Sequence, residues 1–238
     1  MSAYPEKSVY TAEDLVQIIT LLRDPEQGCP WDKVQTHASI RKNFLEETYE
    51  ALEAIDANDP AMMQEELGDV MMQVIFHCVM EAEKGTFTFD DACDSVCRKL
   101  IYRHPHIFGT PEQQKAGIMD WDTLKNKEKG RQSLADEIDT VPKTFTALMK
   151  AQKMQKRSQP YGCVTGDAEE AKAQLQTAEE DLLQADKDAL AAQAGEFLFR
   201  AVNLVRCVGL DAEEVLSLYN DRFAQECAEK SDSEQAKA

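Results

Sequence analysis

Apolar residues recur along this chain at the helical spacing of three and four, with only ten glycines and few β-branched runs to build strands from. That periodicity predicts an all-α fold. Thr11 with Asp14 resembles a capping box, opening a helix whose Leu15, Ile18, Ile19 and Leu22 share one face. Pro25, Gly28 and Pro30 in "RDPEQGCPWD" end it, and Trp31 is expected to be buried against the bundle there. A second helix carries Ile40 to Ile55 and stops before "ANDP". A third runs from about Ala61 to Lys84, with Met63, Leu67, Val70, Val74 and Cys78 as its apolar stripe. Thr88 caps a fourth that reaches about Arg103 and is broken by "RHPHIFGTP". A polar helix from about Glu112 to Arg131 then carries Trp121 and Lys125 on one face.

After "SLADEIDTVP", which reads as a connector, the pattern restarts. "TFTALMKAQKMQKR" is helical, and further helices cover about 169–186, 188–208 and 211–230. The restart repeats the first half: "LEETYEALEA" lies over "LQTAEEDLLQ", and "EELGDVMMQVIFHCV" over "AQAGEFLFRAVNLVR", with a gap of three residues between the two registers. The expected organisation is a helical domain over residues 1–132, a connecting helix over 133–157, a degenerate second copy over 158–230 and a disordered tail over 231–238.

Charge narrows the function classes. Forty-four Asp and Glu against 26 Lys and Arg leave a net charge of −18, which argues against broad contact with a nucleic-acid backbone. Seven cysteines without a CxxC pair fit a reduced protein, and Cys93 with Cys97 lacks the partner pair that zinc needs. No apolar run approaches membrane-spanning length and the N-terminus has no apolar leader, so a cytoplasmic protein with no membrane partner is expected.

The chemistry is concentrated in "EETYE" and "EELGD". Glu46, Glu47 and Glu50 fall within little more than one helical turn, where like charges repel. Glu66 and Asp69 share a face of the following helix, and the short turn at "DANDP" should pack the two helices antiparallel. Glu47, Glu50, Glu66 and Asp69 then converge at one seam. Four carboxylates without a cation would force some to stay protonated, and a hard divalent ion with oxygen ligands removes that conflict.

"GCPWD", "LEETYE", "EELGDVMMQVIFH", "RHPHIF" and W-D-T-L-K, in this order, resemble the MazG family of nucleoside triphosphate pyrophosphohydrolases. The likeness runs from about Leu21 to Arg157 and persists weakly through the second half, like the second repeat of tandem members. It implies tandem all-α bundles that hydrolyse a nucleoside triphosphate to monophosphate and pyrophosphate with Mg²⁺, for which Mn²⁺ can substitute. By that match Glu47, Glu50, Glu66 and Asp69 hold the metal, with Glu46 in or beside the shell and Glu46 or Glu47 as the candidate base. Lys99 and Arg103 suit the polyphosphate, Arg as a fork and Lys as a point charge. Trp121 and Lys125 lie near the substrate, with Trp121 either stacking on base or ribose or packing on the bundle. A homodimer is expected, from the likeness and from the methionines at 62, 63, 71, 72 and 80, which fill either the core or a dimer seam. Two other readings remain open on the residues alone: a pyrophosphatase confined to one nucleotide such as dUTP or dCTP, and a non-catalytic helical binding module. His77 reads as an interior or interface histidine, and His104 and His106 as structural or phosphate-adjacent.

The second copy departs where that chemistry would need it. Glu46 and Glu47 become Gln176 and Thr177, while Glu50 keeps Glu180. Glu66 and Asp69 become Gln193 and Glu196, and Lys99 and Arg103 become Arg222 and Glu226. This half keeps the packing pattern and loses the acidic set.

Overall fold

The computed structural model describes residues 4–115, 128 and 133–235, and among them all regular structure is helical. The chain divides into two compact units, residues 1–119 and 120–238. In the first, α1 (Ala12–Leu22), α2 (Arg41–Asp56), α3 (Pro60–Ala82) and α4 (Phe89–Arg103) are followed by the short α5 (Pro105–Phe108) and α6 (Pro111–Lys115). Helix α3 is the centre, with α1, α2 and α4 packed on it.

Local chemistry sets where these helices start. The predicted capping box forms: the Asp14 carboxylate accepts the Thr11 N–H at 2.9 Å, and Thr11 Oγ1 caps the Asp14 N–H. Asp14 is buried and also receives Lys7 Nζ and, at 2.8 Å, the Tyr4 hydroxyl. Those donors, Lys7 foremost, hold its carboxyl well below the usual carboxylate range. Thr88 and Asp91 build the same box on α4. Helix α3 begins with Asp59 accepting the N–H groups of Ala61 and Met62, and with Pro60 at a position where no N–H is needed.

The "GCPWD" turn is held by Arg23 rather than by its tryptophan. Arg23 is buried, grips both oxygens of Glu83 at 2.6 and 2.8 Å, and donates to the carbonyls of Asp32 and Gln35. Its guanidinium also lies 5.2 Å from the Phe76 ring centroid. Gly28 is required by close approach, since a Cβ there would collide with the carbonyls of Leu22 and Asp24. The expectation that Trp31 packs inside is corrected: it is 55% exposed, because the turn is tied down through backbone carbonyls and leaves the indole outside the core.

The apolar stripe of α3 holds at Cys78, which is buried, and is corrected towards its N-terminal end. Leu67 is exposed, Met63, Val70 and Val74 are half-buried, and the core forms at the C-terminal half of the helix. There Ile75, Phe76, Val79 and Met80 pack with Ile19 and Ile40, flanked by Leu15, Val16, Met72 and Phe89. Of the methionines, Met80 enters the core and Met71 stays exposed.

His77 is half-buried and lies in a stack. Its ring is parallel to that of His37 within 7°, the two Nδ1 atoms are 2.7 Å apart, and Phe44 meets it edge-on. His37 Nε2 lies 2.6 Å from Glu81, which also takes Lys84 Nζ and the Thr86 hydroxyl. Burial, then His37, pushes the His77 pKa below its ordinary value. The unfolded chain therefore binds a proton that the folded chain resists, so this stabilisation is complete above the ordinary histidine range and declines as pH falls through it. Lys84, then Thr86 and His37, hold the Glu81 carboxyl at about 2. Its contribution is present above the ordinary glutamate range and is lost as pH falls towards 2. The melting temperature should fall between pH 7.5 and 5.5, and His77→Leu should flatten that slope whatever it does to the absolute value. An unchanged slope in the variant would rule His77 out as its source.

In the second unit, α7 (Leu134–Asp139) and α8 (Ala147–Ser158) precede the long α9 (Ala168–Gln184), α10 (Leu190–Cys207) and α11 (Ala212–Gln235), the last extending into residues assigned above to the tail. Helix α8 packs on α10 and α11, and α9 on α10. Inside it, fully buried Gln155 donates through Nε2 to the Phe199 carbonyl at 2.7 Å while its Oε1 is left without a partner among the described residues, and buried Asn203 donates to the Thr165 carbonyl. Among the described residues, no helix is long and apolar enough to cross a membrane.

Candidate metal centre

Helices α2 and α3 pack through small residues. Ala51 and Ala54 on α2 are buried, and Glu47 lies on the same face at the i, i+4, i+7 spacing. On α3, Glu66, Asp69 and Gln73 form the matching row at i, i+3, i+7. The missing side-chain bulk at Ala51 and Ala54 lets α3 approach, which brings carboxylates from both helices together. One oxygen each from Glu47, Glu66 and Asp69 lies within 4.8 Å of the others, and all three residues are half-buried.

The electrostatics is that of repelling anions. The Glu47 carboxyl is pushed above the ordinary range by burial first, then by Asp69 and Glu50. Glu66 is pushed up by burial, then by Glu50, Glu65 and Asp69. Glu50 is exposed and outside the close trio, although its charge reaches both of these groups. The donors are hard oxygens, crowded and partly desolvated, a combination that fits a hard divalent ion.

Gln73 was not singled out by the sequence patterns. It is 7% exposed, and its Nε2 lies 3.5 Å from Glu47 Oε1, a long hydrogen bond that orients that carboxylate without neutralising it. The signal was present as one polar residue inside "MMQVIF", four after Asp69. Glu46 is exposed beside Glu47. Lys99 is half-buried and Arg103 is buried at 6% exposure, one turn apart on α4, with α4 packed on α3. Trp121 and Lys125 lie outside the described residues.

Comparison with known proteins points the same way. The MazG nucleotide pyrophosphohydrolase domain matches residues 35–108, a span that contains the trio, Gln73, Lys99 and Arg103. The nucleoside triphosphate pyrophosphohydrolase of Escherichia coli (strain K12) is 38% identical over 219 residues, covering 88% of this chain and 82% of the relative. The Thermotoga maritima nucleoside triphosphate pyrophosphohydrolase/pyrophosphatase MazG is 36% identical over 214 residues, 90% of this chain and 82% of its own. A Mycobacterium tuberculosis nucleoside triphosphate pyrophosphohydrolase is 37% identical over 153 residues, 63% of this chain and 46% of its own.

Proposed function

Because this chain belongs to the MazG family of nucleotide pyrophosphohydrolases, we propose that its first unit hydrolyses nucleoside triphosphates to the monophosphate and pyrophosphate, using Mg²⁺ held at the α2–α3 seam. The observation that carries this reading is the convergence of Glu47, Glu66 and Asp69 from two helices, inside the matched span and with the Glu47 and Glu66 pKa values raised by burial and then by neighbouring carboxylates. Glu50, whose charge already reaches Glu47 and Glu66, is the fourth ligand. Mn²⁺ is the expected substitute.

A bound Mg²⁺ would offset polyphosphate charge and make a coordinated water more acidic. The protein supplies the rest. Glu46 or Glu47 takes the proton from the attacking water. Gln73 fixes the orientation of the Glu47 carboxylate. Lys99 and Arg103 stabilise the departing pyrophosphate, with Trp121 and Lys125 completing the substrate pocket. The second unit, without this acidic set, is catalytically silent.

Incubating the purified chain with a panel of NTPs and dNTPs plus Mg²⁺, and measuring pyrophosphate release, tests the reaction directly. Release of orthophosphate alone, or turnover undiminished in EDTA, would refute it. Within this reading Lys99→Ala should raise KM for the nucleotide about tenfold, the equivalent of ~1.4 kcal/mol. Its neighbour Arg98, exposed and paired with Asp94 at 2.6 Å, supplies the control, since Arg98→Ala should leave KM unchanged. Equal effects from both would remove Lys99 from the site.

The same unit is a homodimer. Leu45, Tyr49, Leu52 and Ile55 are each about half exposed and fall on one face of α2. An exposed apolar row of this kind marks an interface, and a two-fold pairing is the default for identical chains. Light scattering at micromolar concentration should return twice the chain mass of 26.8 kDa, and Leu52→Glu should return the single mass.

A further inference from the structure

The second unit repeats the helix pair of the first but neutralises its seam differently. The register that carries Glu47 onto Thr177 and Asp69 onto Glu196 also carries Gln73 onto Arg200. In the first unit that position is a neutral amide making one long contact, and the carboxylates around it repel. In the second it is a guanidinium. Arg200 donates to Glu196 Oε1 through Nε at 3.3 Å and Nη2 at 3.0 Å, and through Nη1 crosses to Gln174 Oε1 on α9 at 3.0 Å. Thr177, Ala178 and Asp181 line the same small cavity of about 150 Å³ between α9 and α10.

We propose that Arg200 is the built-in cation of the second unit, standing at the α9–α10 seam in place of the divalent ion that the α2–α3 seam takes from solution. The inference rests on reading the first seam as a metal centre. Its physical basis is that a guanidinium cannot shed its proton, so its charge is permanent. A dication brought to the same place would meet that charge, and would find the Glu196 oxygen already engaged by two N–H donors. Loss of acids at Gln176, Thr177 and Gln193 would by itself leave a weak site. Arg200 instead closes it, and ties α9 to α10 with no metal present. Metal dependence is thereby confined to one unit of a duplicated fold.

The test counts Mn²⁺ bound by the full chain, by electron paramagnetic resonance of the free ion. The natural chain should lose its bound Mn²⁺ on Asp69→Asn. Natural chain without bound Mn²⁺ would refute the first-unit reading alone, since the remaining comparison is made within the second unit. Restoring acids with Thr177→Glu and Gln193→Glu should add no Mn²⁺ while Arg200 is kept. Adding Arg200→Gln to that pair should create one further site, at least tenfold tighter than any seen with Arg200 present. Equal second-site affinity with and without Arg200, or no gain in a triple variant whose circular dichroism is native, would overturn the proposal. Should the triple variant not fold, Arg200→Gln and Arg200→Lys alone decide. The first should lower the melting temperature by several degrees and the second should retain most of it, whereas equal losses would show that its charge is not what the seam uses.

Discussion

Replacing Asp69 with Asn should lower nucleotide turnover about a hundredfold while the protein stays folded. The substitution keeps shape and volume and removes one unit of charge from the Glu47, Glu66 and Asp69 trio. A lost transition-state contact of roughly 3 kcal/mol corresponds to that factor. Stability should move the other way. Asp69 is among the charges that raise the Glu47 and Glu66 pKa values, so its removal relieves repulsion in the metal-free protein. Melting in EDTA should be unchanged or higher for the variant, whereas added Mg²⁺ should stabilise the natural chain more than the variant. Glu50→Gln should follow the same direction. Full activity in Asp69→Asn, or a collapse of its helical signal, would each contradict the assignment.

Ile75→Ala should be the most destabilising of the simple truncations in the first unit. Ile75 is fully buried on α3, among Ile19, Ile40, Phe76, Val79 and Met80. Removing three side-chain carbons there forfeits their transfer free energy and leaves a cavity, at a cost of about 2–5 kcal/mol. For a unit of this size the melting temperature should fall by on the order of 10 °C or more. Val9→Ala, at a site 73% exposed, should change it little. Activity should fall with the folded fraction rather than beyond it, because Ile75 packs in the apolar cluster of α3 with Ile19, Ile40, Phe76, Val79 and Met80. A loss of turnover at temperatures where the variant is still folded would mean that the core also sets the seam geometry.

What the chain's own chemistry determines is local and angular. The period of the apolar residues makes helices, and Thr11 with Asp14, Thr88 with Asp91, and Asp59 with Pro60 start them where side-chain oxygens meet unpaired N–H groups. The three-residue turn after Asp56 makes α2 and α3 antiparallel, and the i, i+3, i+4 spacing puts Glu47, Glu66 and Asp69 towards one seam. In the repeat proposed for the second half, Gln176, Thr177 and Gln193 stand at the positions of Glu46, Glu47 and Glu66. Tertiary packing decides the rest, because helical period gives an angle on a cylinder and says nothing of how far two cylinders slide, how closely they approach or which rotamer a long side chain takes. It draws Glu47, Glu66 and Asp69 together and leaves Glu50 at the edge. It buries Gln73 beside Glu47, and shifts the core of α3 towards its C-terminal half, where α1 supplies a partner surface. It fixes the "GCPWD" turn through Arg23, sixty residues from Glu83, so that Trp31 is left outside. In the second unit it turns one substitution, Arg200 for Gln73, into a bridge between helices, because only the approach of α9 brings Gln174 within reach of that guanidinium.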